Sequence, residues 1–557
     1  MRDSRPHHLY QLSNDWLLLT YNTNIYTHGY SRHFSLEVKA LNTSEFLTIT
    51  NLIVPERTAI IFENTKTTFE ELQDRVNMLA NAMFDLGISR GSRIAFMHVN
   101  TNQAIEIYFA TAQLDAIYVP INFRAKEDEL TQMLEISQPD LLFIGNRYLP
   151  LTDTLLNKET LRNDQLITLD SQESNQFLYY EDILAEQSGE QIHFPEDDDS
   201  DTTVIMFTAG TTGTPKGVML SHNSFSSYLL STVSPADPDI SETNLITVPF
   251  YHIAGLQAAL AAIYGGRTMA IMRQFEPLDW LKTAEDHKAN RAMLVPTMLK
   301  RIIDHPHFHD FDLSEMSVIT YGAAPMPLDV IRKSITSFPN TMFINAFGQT
   351  ETASTITMLP PEDHILEGSP TDIEIKLRRL TSIGKPLSDI ELLIVSEDGK
   401  PVNSGEIGEI VARGDRLMTG YWNQESATSE TLRSGWLYTG DLAYQDEDGY
   451  IFLSGRAKDF IKRGGEMISP EEVEQVLRSH PQVSDAAIIG TPNDEWGEEV
   501  VAVVVAESPT PSKDALIEHC GEHLASYKKP KYVFFIDELP RNTMGKVLKR
   551  DLRELYS

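Results

Sequence analysis

The sequence has a single cysteine, Cys520, in 557 residues. The chain therefore forms no internal disulfide and no thiolate metal cluster. It also lacks any apolar run near the roughly 18 residues that a membrane-spanning helix needs. Its longest apolar runs, Val500–Ala506 and Ala258–Ile263, read as a buried strand and a buried helix. Positive charge is scarce. Forty-six Lys and Arg stand against 80 Asp and Glu, a net −34. So acidic a surface neither wraps nucleic acid nor binds anionic lipid by bulk attraction. The Trp16–Thr20 apolar patch is too short for a signal-peptide core. The expectations are a cytoplasmic protein, no transmembrane segment and no nucleic-acid partner.

What remains is ordinary for a folded chain, with 41% apolar and 23% charged residues. The charge divides unevenly. Residues 1–40 hold four basic and three acidic residues, and residues from 456 onward hold fourteen and eighteen. Nearly all the excess negative charge thus falls on the middle. Residues 1–42 show no period or motif and are expected to be an arm of unknown role. From Thr43 onward strands and helices alternate. Thr68-Phe-Glu-Glu opens a helix with Leu72, Val76, Leu79 and Ala80 on one face, Arg93–His98 is a strand, Thr101–Leu114 a helix and Ala116–Val119 a strand. This alternation predicts an α/β fold.

The strand Thr203–Phe207 runs into Thr208-Ala-Gly-Thr-Thr-Gly-Thr-Pro-Lys216-Gly217. Glycines let a backbone turn its N–H groups onto an anion, threonine hydroxyls add donors, and Lys216 adds a point charge. No Ser or Thr follows the lysine and no helix starts there, so this is not a Walker A loop. The stretch resembles the signature loop of the adenylate-forming superfamily: acyl- and aryl-CoA synthetases, luciferases and peptide-synthetase adenylation domains. Further motifs follow in that superfamily's order. They are Tyr321-Gly-Ala-Ala-Pro-Met-Pro327, Asn345-Ala-Phe-Gly-Gln-Thr-Glu351, Trp436-Leu-Tyr-Thr-Gly-Asp441, Gly455-Arg456-Ala-Lys458-Asp459 and Pro540-Arg-Asn-Thr-Met-Gly-Lys546. Gly405–Gly414 and Met418–Asn423 also match, and read as a hairpin and a packed turn.

The resemblance implies a large, multi-subdomain adenylate-forming domain over residues 43–455. A small, mobile α+β lid is expected over 456–557, hinged near 456–459. It also implies roles for particular residues. ATP or AMP would be bound by Thr208, Gly210, Thr211, Thr212, Gly213 and Lys216. Gly322, Ala323, Ala324, Asn345, Ala346, Phe347 and Gly348 would line the adenine side, with Phe347 stacked on the ring. Thr350 would contact the α-phosphate, Glu351 would hold Mg²⁺, and Asp441 and Arg456 would bind the ribose. Lys546, Thr350 and Lys216 would be catalytic. Lys458 would be the pivot, and Gly464 and Gly465 would meet CoA. His252 is placed in the acyl pocket, with a plain core histidine as the alternative.

The implied reaction joins a carboxylic acid to CoA through an acyl-adenylate, using ATP and releasing AMP and pyrophosphate. Val248–Leu260, which resembles the acyl-pocket segment, contains no acid to pair with an ammonium. An apolar acyl group, preferably a fatty acid, is therefore expected over an amino acid. The alternatives are an aryl acid, a ligase loading a carrier protein, and an inactive nucleotide-binding relative. A homodimer is compatible with all of them. The cations at 456–463 and 528–550 are read as a local positive surface for anionic substrates. The last helix is expected to start about Lys546.

Overall fold

The computed structural model describes residues 41–556 apart from 154–155, 157–160, 172–175, 197, 199, 209–214, 457–458, 464–465, 494–495 and 543–545. The arm up to residue 40 and the expected site residues Gly210, Thr211, Thr212, Gly213, Lys458, Gly464 and Gly465 lie outside the described residues. The described chain begins buried. The Thr43 N–H donates to His222 Nδ1 at 3.1 Å, and the Asn42 amide donates to Asp115 at 3.1 Å. The helix Phe69–Asp85 opens on the expected capping box of Thr68 and Glu71 and buries Leu72, Val76, Leu79 and Ala80.

Four sheets are present among the described residues. One has nine strands, in the order Lys385–Pro386, Ser354–Leu359, Met342–Gln349, Val318–Gly322, Arg291–Leu294, Thr243–Ile246, Thr268–Ile271, Thr58–Phe62 and Thr65–Thr68. The six from Met342–Gln349 to Thr58–Phe62 are parallel to their neighbours. A second sheet has eight strands, ordered Gly420–Tyr421, Lys216–Ser221, Thr202–Thr208, Ile117–Pro120, Arg93–Met97, Leu141–Ile144, Leu166–Thr168 and Leu178–Tyr179. Its inner strands are short continuous apolar runs, as parallel strands covered on both faces require. Helices Phe69–Asp85, Asn102–Gln113 and Ile253–Tyr264 bury their apolar faces in a core shared by the two sheets.

A third, antiparallel sheet contains Glu391–Val395, Gly408–Arg413 and Trp436–Gln445, and Ile451–Arg456 pairs with the last. The chain from Ile461 onward builds a separate small sheet. Val483–Asn493 and Gly497–Ala506 form its centre, and Tyr532–Phe535 adds in parallel. Two apolar clusters composed only of residues from 461 onward pack on its faces. A large α/β part and a small α+β part therefore have separate cores.

Gly455 and Arg456 are strand, because they pair with Leu442 and Asp441. Ser469 caps its helix by accepting the Glu472 N–H at 3.3 Å, without a reciprocal bond from the Glu472 side chain. The Glu472 carboxylate instead accepts from Lys528 at 2.7 and 2.8 Å. Two expectations change in the small domain. The last helix is Lys549–Tyr556 rather than one starting at Lys546. Before it the chain folds back: the Asn542 N–H donates to the Lys546 carbonyl and the Lys546 N–H to Asn542 Oδ1, both at 2.9 Å. The expected positive surface is also largely neutralised. Arg463 pairs with Glu499 at 2.8 Å, Lys549 with Glu474 at 2.8 Å, and Arg541 with Asp485.

Candidate active site

The strands Thr202–Thr208 and Lys216–Ser221 are antiparallel, with Thr208 opposite Lys216. Thr208 and Lys216, on either side of 209–214, are therefore side by side at one end of this strand pair. The Lys216 ammonium lies over the Tyr421 ring, 4.6 Å from its centroid. The Tyr421 hydroxyl donates to Glu351 Oε1 at 2.9 Å. One tyrosine thus joins the loop lysine to the expected metal-holding carboxylate. Burial and the Glu351 charge push the Tyr421 phenol above its ordinary range, so it stays a donor. Sequence pattern alone makes Met418–Asn423 a packed turn and gives Tyr421 no role, whereas the fold sets its hydroxyl on Glu351. A tyrosine inside a family motif was the available signal.

Thr350 and Glu351 sit in a 3₁₀ turn directly after the strand Met342–Gln349, and not at the start of an α-helix. Behind that turn Ala353 and Ser354 adopt φ of 49° and 86°. A Cβ on Gly348 would lie 1.6 Å from the Ser354 carbonyl oxygen, and one on Gly322 2.1 Å from that of Ala346. These two glycines are therefore dictated by strand-to-backbone packing, beyond any room they leave for a ring. Ala346 and Gly348 line the central cavity, as does Ala323, whose φ is 66°. Asn345 and Phe347 alternate to the other face of the strand. The Asn345 amide donates to the Ser382 carbonyl at 3.1 Å, and half-buried Phe347 packs beside Leu392. Ala324 is half-buried on the turn after Gly322.

Asp441 is buried and engaged on both oxygens. Arg456 Nε lies 2.6 Å from one, and the Gln349 amide donates to the other at 2.9 Å. Burial raises its pKa, while the charges of Arg456 and Lys546 oppose that rise. Lys546 is exposed and lines the same cavity as Thr208, Lys216, Thr350, Glu351 and Arg456. Gln349, unremarked in the sequence, positions the expected ribose acid. Glu351 and Thr350 offer only oxygen. That donor set fits a hard cation such as Mg²⁺, which takes one or two carboxylates and completes its shell from phosphates and water.

The cavity, about 1180 Å³, continues away from these groups between the helix Ile253–Tyr264 and the nine-stranded sheet. The helix presents Ala254, Gln257, Ala258 and Ala261, which share one face by their spacing. The sheet contributes residues from several neighbouring strands. Ile246, Met293, Thr320 and Ile344 line it at mid-depth, and the last three lie side by side in the register. Asn244, Arg291 and Val318, also register partners, line it two residues deeper. At that end Arg267 and Arg291 share Glu242, at 2.8 and 3.2 Å. Gly255 lets the helix seat, since its Cβ would lie 2.3 Å from the Pro249 carbonyl oxygen.

His252 stands at the mouth of this chamber, immediately before the helix. Burial, reinforced by the Arg124 charge, pulls its pKa down to about 3, so it is a neutral imidazole. His222 and His364 are also buried, and burial pulls each to about 4. His364 Nδ1 donates to the Pro360 carbonyl, and its Nε2 accepts from the Tyr321 hydroxyl, each at 2.9 Å. This pins the strand that carries Gly322. Unfolded, each ring takes up a proton near pH 6.5; folded, it stays neutral to about pH 4. Between those values the unfolded chain binds more protons. Their contribution is therefore complete above about pH 6.5. It is lost as pH falls towards 4, at up to about 1.4 kcal/mol per pH unit per ring. Denaturant titrations at pH 7 and 5 check this. His222→Gln should lower stability at pH 7 yet flatten the dependence on pH.

Comparison with known proteins gives the family. A family model described as AMP-binding enzyme matches residues 53–422, and one described as AMP-binding enzyme C-terminal domain matches residues 472–546. An indoleacetate–CoA ligase of Aromatoleum aromaticum is 31% identical over 506 residues, covering 90% of this chain and 96% of the relative. A fatty acid–[acyl-carrier-protein] ligase of Streptomyces coeruleorubidus is 31% identical over 508 residues, covering 90% and 94%. Among solved structures, a Mycobacterium tuberculosis fatty acyl CoA synthetase is similar with a TM-score of 0.72 at 29% identity, covering 93% of this chain and 98% of its own.

Proposed function

The chain belongs to the AMP-binding enzyme family, and from that premise we propose that it activates a carboxylic acid with ATP and transfers the acyl group to the thiol of CoA. Its AMP-forming CoA-ligase relatives make it an acid–thiol ligase, using ATP and CoA. A fatty acid is the preferred substrate, and an aryl acid the second reading that the indoleacetate relative favours. One observation carries the proposal. A single cavity brings Thr208, Lys216, Thr350, Glu351, Arg456 and Lys546 to the mouth of a largely apolar chamber.

The carboxylate oxygen attacks the α-phosphorus of ATP, and the bond to pyrophosphate breaks. Lys216 and the phosphate loop hold the departing phosphates, and Thr350 donates to the α-phosphate. Lys546 meets the negative charge that grows on its oxygens. Glu351 would hold Mg²⁺, which supplies charge neutralisation for the phosphates when bound. Asp441, held by Gln349 and Arg456, accepts the ribose hydroxyls. Neutral His252 borders the chamber without adding charge beside the acid.

In the second half-reaction the CoA sulfur attacks the acyl carbonyl, and the bond to AMP breaks. We assign residues 456–557 as a lid that pivots at Lys458, withdraws Lys546 and brings Gly464 and Gly465 to the thiol. Lys458→Pro is expected to slow chiefly this second step. Single-turnover rates for the two half-reactions check it, and equal rates in variant and wild type would remove the pivot. A cytoplasmic setting belongs to the same reading.

The test is carboxylate-dependent ATP–pyrophosphate exchange over short, medium, long and aromatic acids, followed by CoA-dependent AMP release. Exchange and CoA-dependent release are expected. No exchange with any acid would overturn the proposal. Exchange without CoA-dependent release would favour a carrier-protein acceptor, as in the Streptomyces relative.

A further inference from the structure

The small domain carries a cluster of metal-ligating side chains that the proposed reaction does not use. His519, Glu522 and His523 stand at positions i, i+3 and i+4 of the helix Lys513–His523, so they share one face. One ligand atom from each lies within 4.8 Å of those of the other two. The helix is seated by buried Leu516 and Cys520, and Ser512 caps it by accepting the Ala515 N–H at 3.1 Å. None of the three residues lines the cavity that holds Thr350, Glu351 and Lys546.

Backbone carbonyls already hold both rings. His519 Nε2–H donates to the Val476 carbonyl at 3.1 Å, and His523 Nδ1–H donates to the His519 carbonyl at 2.9 Å. A carbonyl only accepts, so in each neutral ring the other nitrogen keeps its lone pair. These are His519 Nδ1 and His523 Nε2. A ring N–H on a backbone carbonyl is the support by which metal-binding histidines fix their tautomer and orientation. The His480 ring meets the His519 ring edge-on, with 5.1 Å between centroids. The cluster falls in the last turn of its helix, where the aligned peptide dipoles favour a cation.

We propose that His519, Glu522 and His523 bind a divalent transition-metal ion such as Zn²⁺, at a site separate from Glu351. Two imidazoles and a carboxylate form a zinc donor set, and water completes the tetrahedron. Thr350 and Glu351 offer only oxygen and suit Mg²⁺, so the two places take different ions. Ligand atoms on one tetrahedral zinc stand about 3.4 Å apart. Rotation of the exposed Glu522 and His523 side chains closes the set to that spacing. Through His519 the ion also fixes the contact with Val476, near the end of the helix Pro470–Arg478. It therefore stabilises the small domain and takes no part in the reaction. Histidines four apart on a helix are a short sequence signal; the Val476 carbonyl that orients one of them comes from the fold.

The experiment titrates the full chain, stripped of metal, with zinc alone in excess Mg²⁺, which fills the oxygen-only site. Calorimetry compares wild type, Glu522→Gln, His523→Ala and the double variant His519→Gln/His523→Ala. Glu522 and His523 are exposed, so their single variants should fold. Each single variant should bind zinc at least about tenfold more weakly, and the double variant should bind one equivalent fewer. Zinc should raise the melting temperature of wild type more than that of the double variant. Cobalt in place of zinc should give wild type a visible absorption that the double variant lacks. Equal zinc stoichiometry and affinity in wild type and double variant would overturn the site, as would identical cobalt spectra. Metal-stripped single variants supplied with Mg²⁺ should match wild type in ATP–pyrophosphate exchange. A loss of exchange in them would overturn the separation from the reaction.

Discussion

Lys546→Ala is expected to lower acid-dependent ATP–pyrophosphate exchange by about 10²- to 10³-fold, while thioester formation from a supplied acyl-adenylate stays near the wild-type rate. The residue is exposed on a folded-back loop, so its removal should cost little stability. Its worth lies in the cavity, where it lines the same space as Thr350 and Glu351 and its charge is felt by Asp441. Negative charge builds on the α-phosphate oxygens in adenylate formation, and a compact ammonium on a flexible stem can follow it. When the thiol attacks the acyl carbon that demand is gone. Lys546→Arg separates charge from shape: a wide planar guanidinium should restore only part of the exchange rate. Equal loss of both half-reactions in Lys546→Ala would refute the division of labour.

The other large effect concerns folding. Gly348→Ala should destabilise the large domain by about 3 kcal/mol or more, seen as a lower denaturation midpoint and loss of exchange. The added methyl would lie 1.6 Å from a backbone carbonyl oxygen, that of Ser354, and backbone cannot swing aside as a side-chain tip can. Ser354 and Ala353 are already held at positive φ, so the turn presenting Thr350 and Glu351 would have to move as a whole. Gly521→Ala is the contrast. That glycine sits inside the helix Lys513–His523, and its new methyl would meet only the Lys529 side chain. Better helix propensity should leave that variant as stable as wild type or slightly more so. A stable, active Gly348→Ala would contradict the packing described.

Much of the candidate site was legible in the sequence because residue types suited to phosphate chemistry stand in short local strings. Lys216 after a Gly/Thr-rich loop, Thr350 beside Glu351, and Lys546 near the C-terminus each announce themselves by composition. The α/β fold was legible for a similar reason: apolar period and capping residues act over a few positions, as at Thr68 and Glu71. Less legible was anything set by which strands become neighbours. Tyr421 reaches Glu351 only because Gly420–Tyr421 pairs with Lys216–Ser221. The two faces of Met342–Gln349 divide Ala346 and Gly348 from Asn345 and Phe347, a split that the motif alone does not show.

The C-terminal cations teach the same point. In sequence they are a positive surface; in the fold, carboxylates from distant segments neutralise Lys528, Arg463, Lys549 and Arg541. Charge is additive along a chain, but its field depends on what stands within a few ångströms. The sequence by itself determined the fold class, the order of the motifs and the family of reaction, because those rest on residue identity and short-range spacing. The tertiary structure alone decided that Tyr421 reaches Glu351, that Asp441 is held by Gln349, and that Gly348 cannot bear a methyl. Each of those depends on atoms brought together across the sheet, between strands and helices that no local pattern relates.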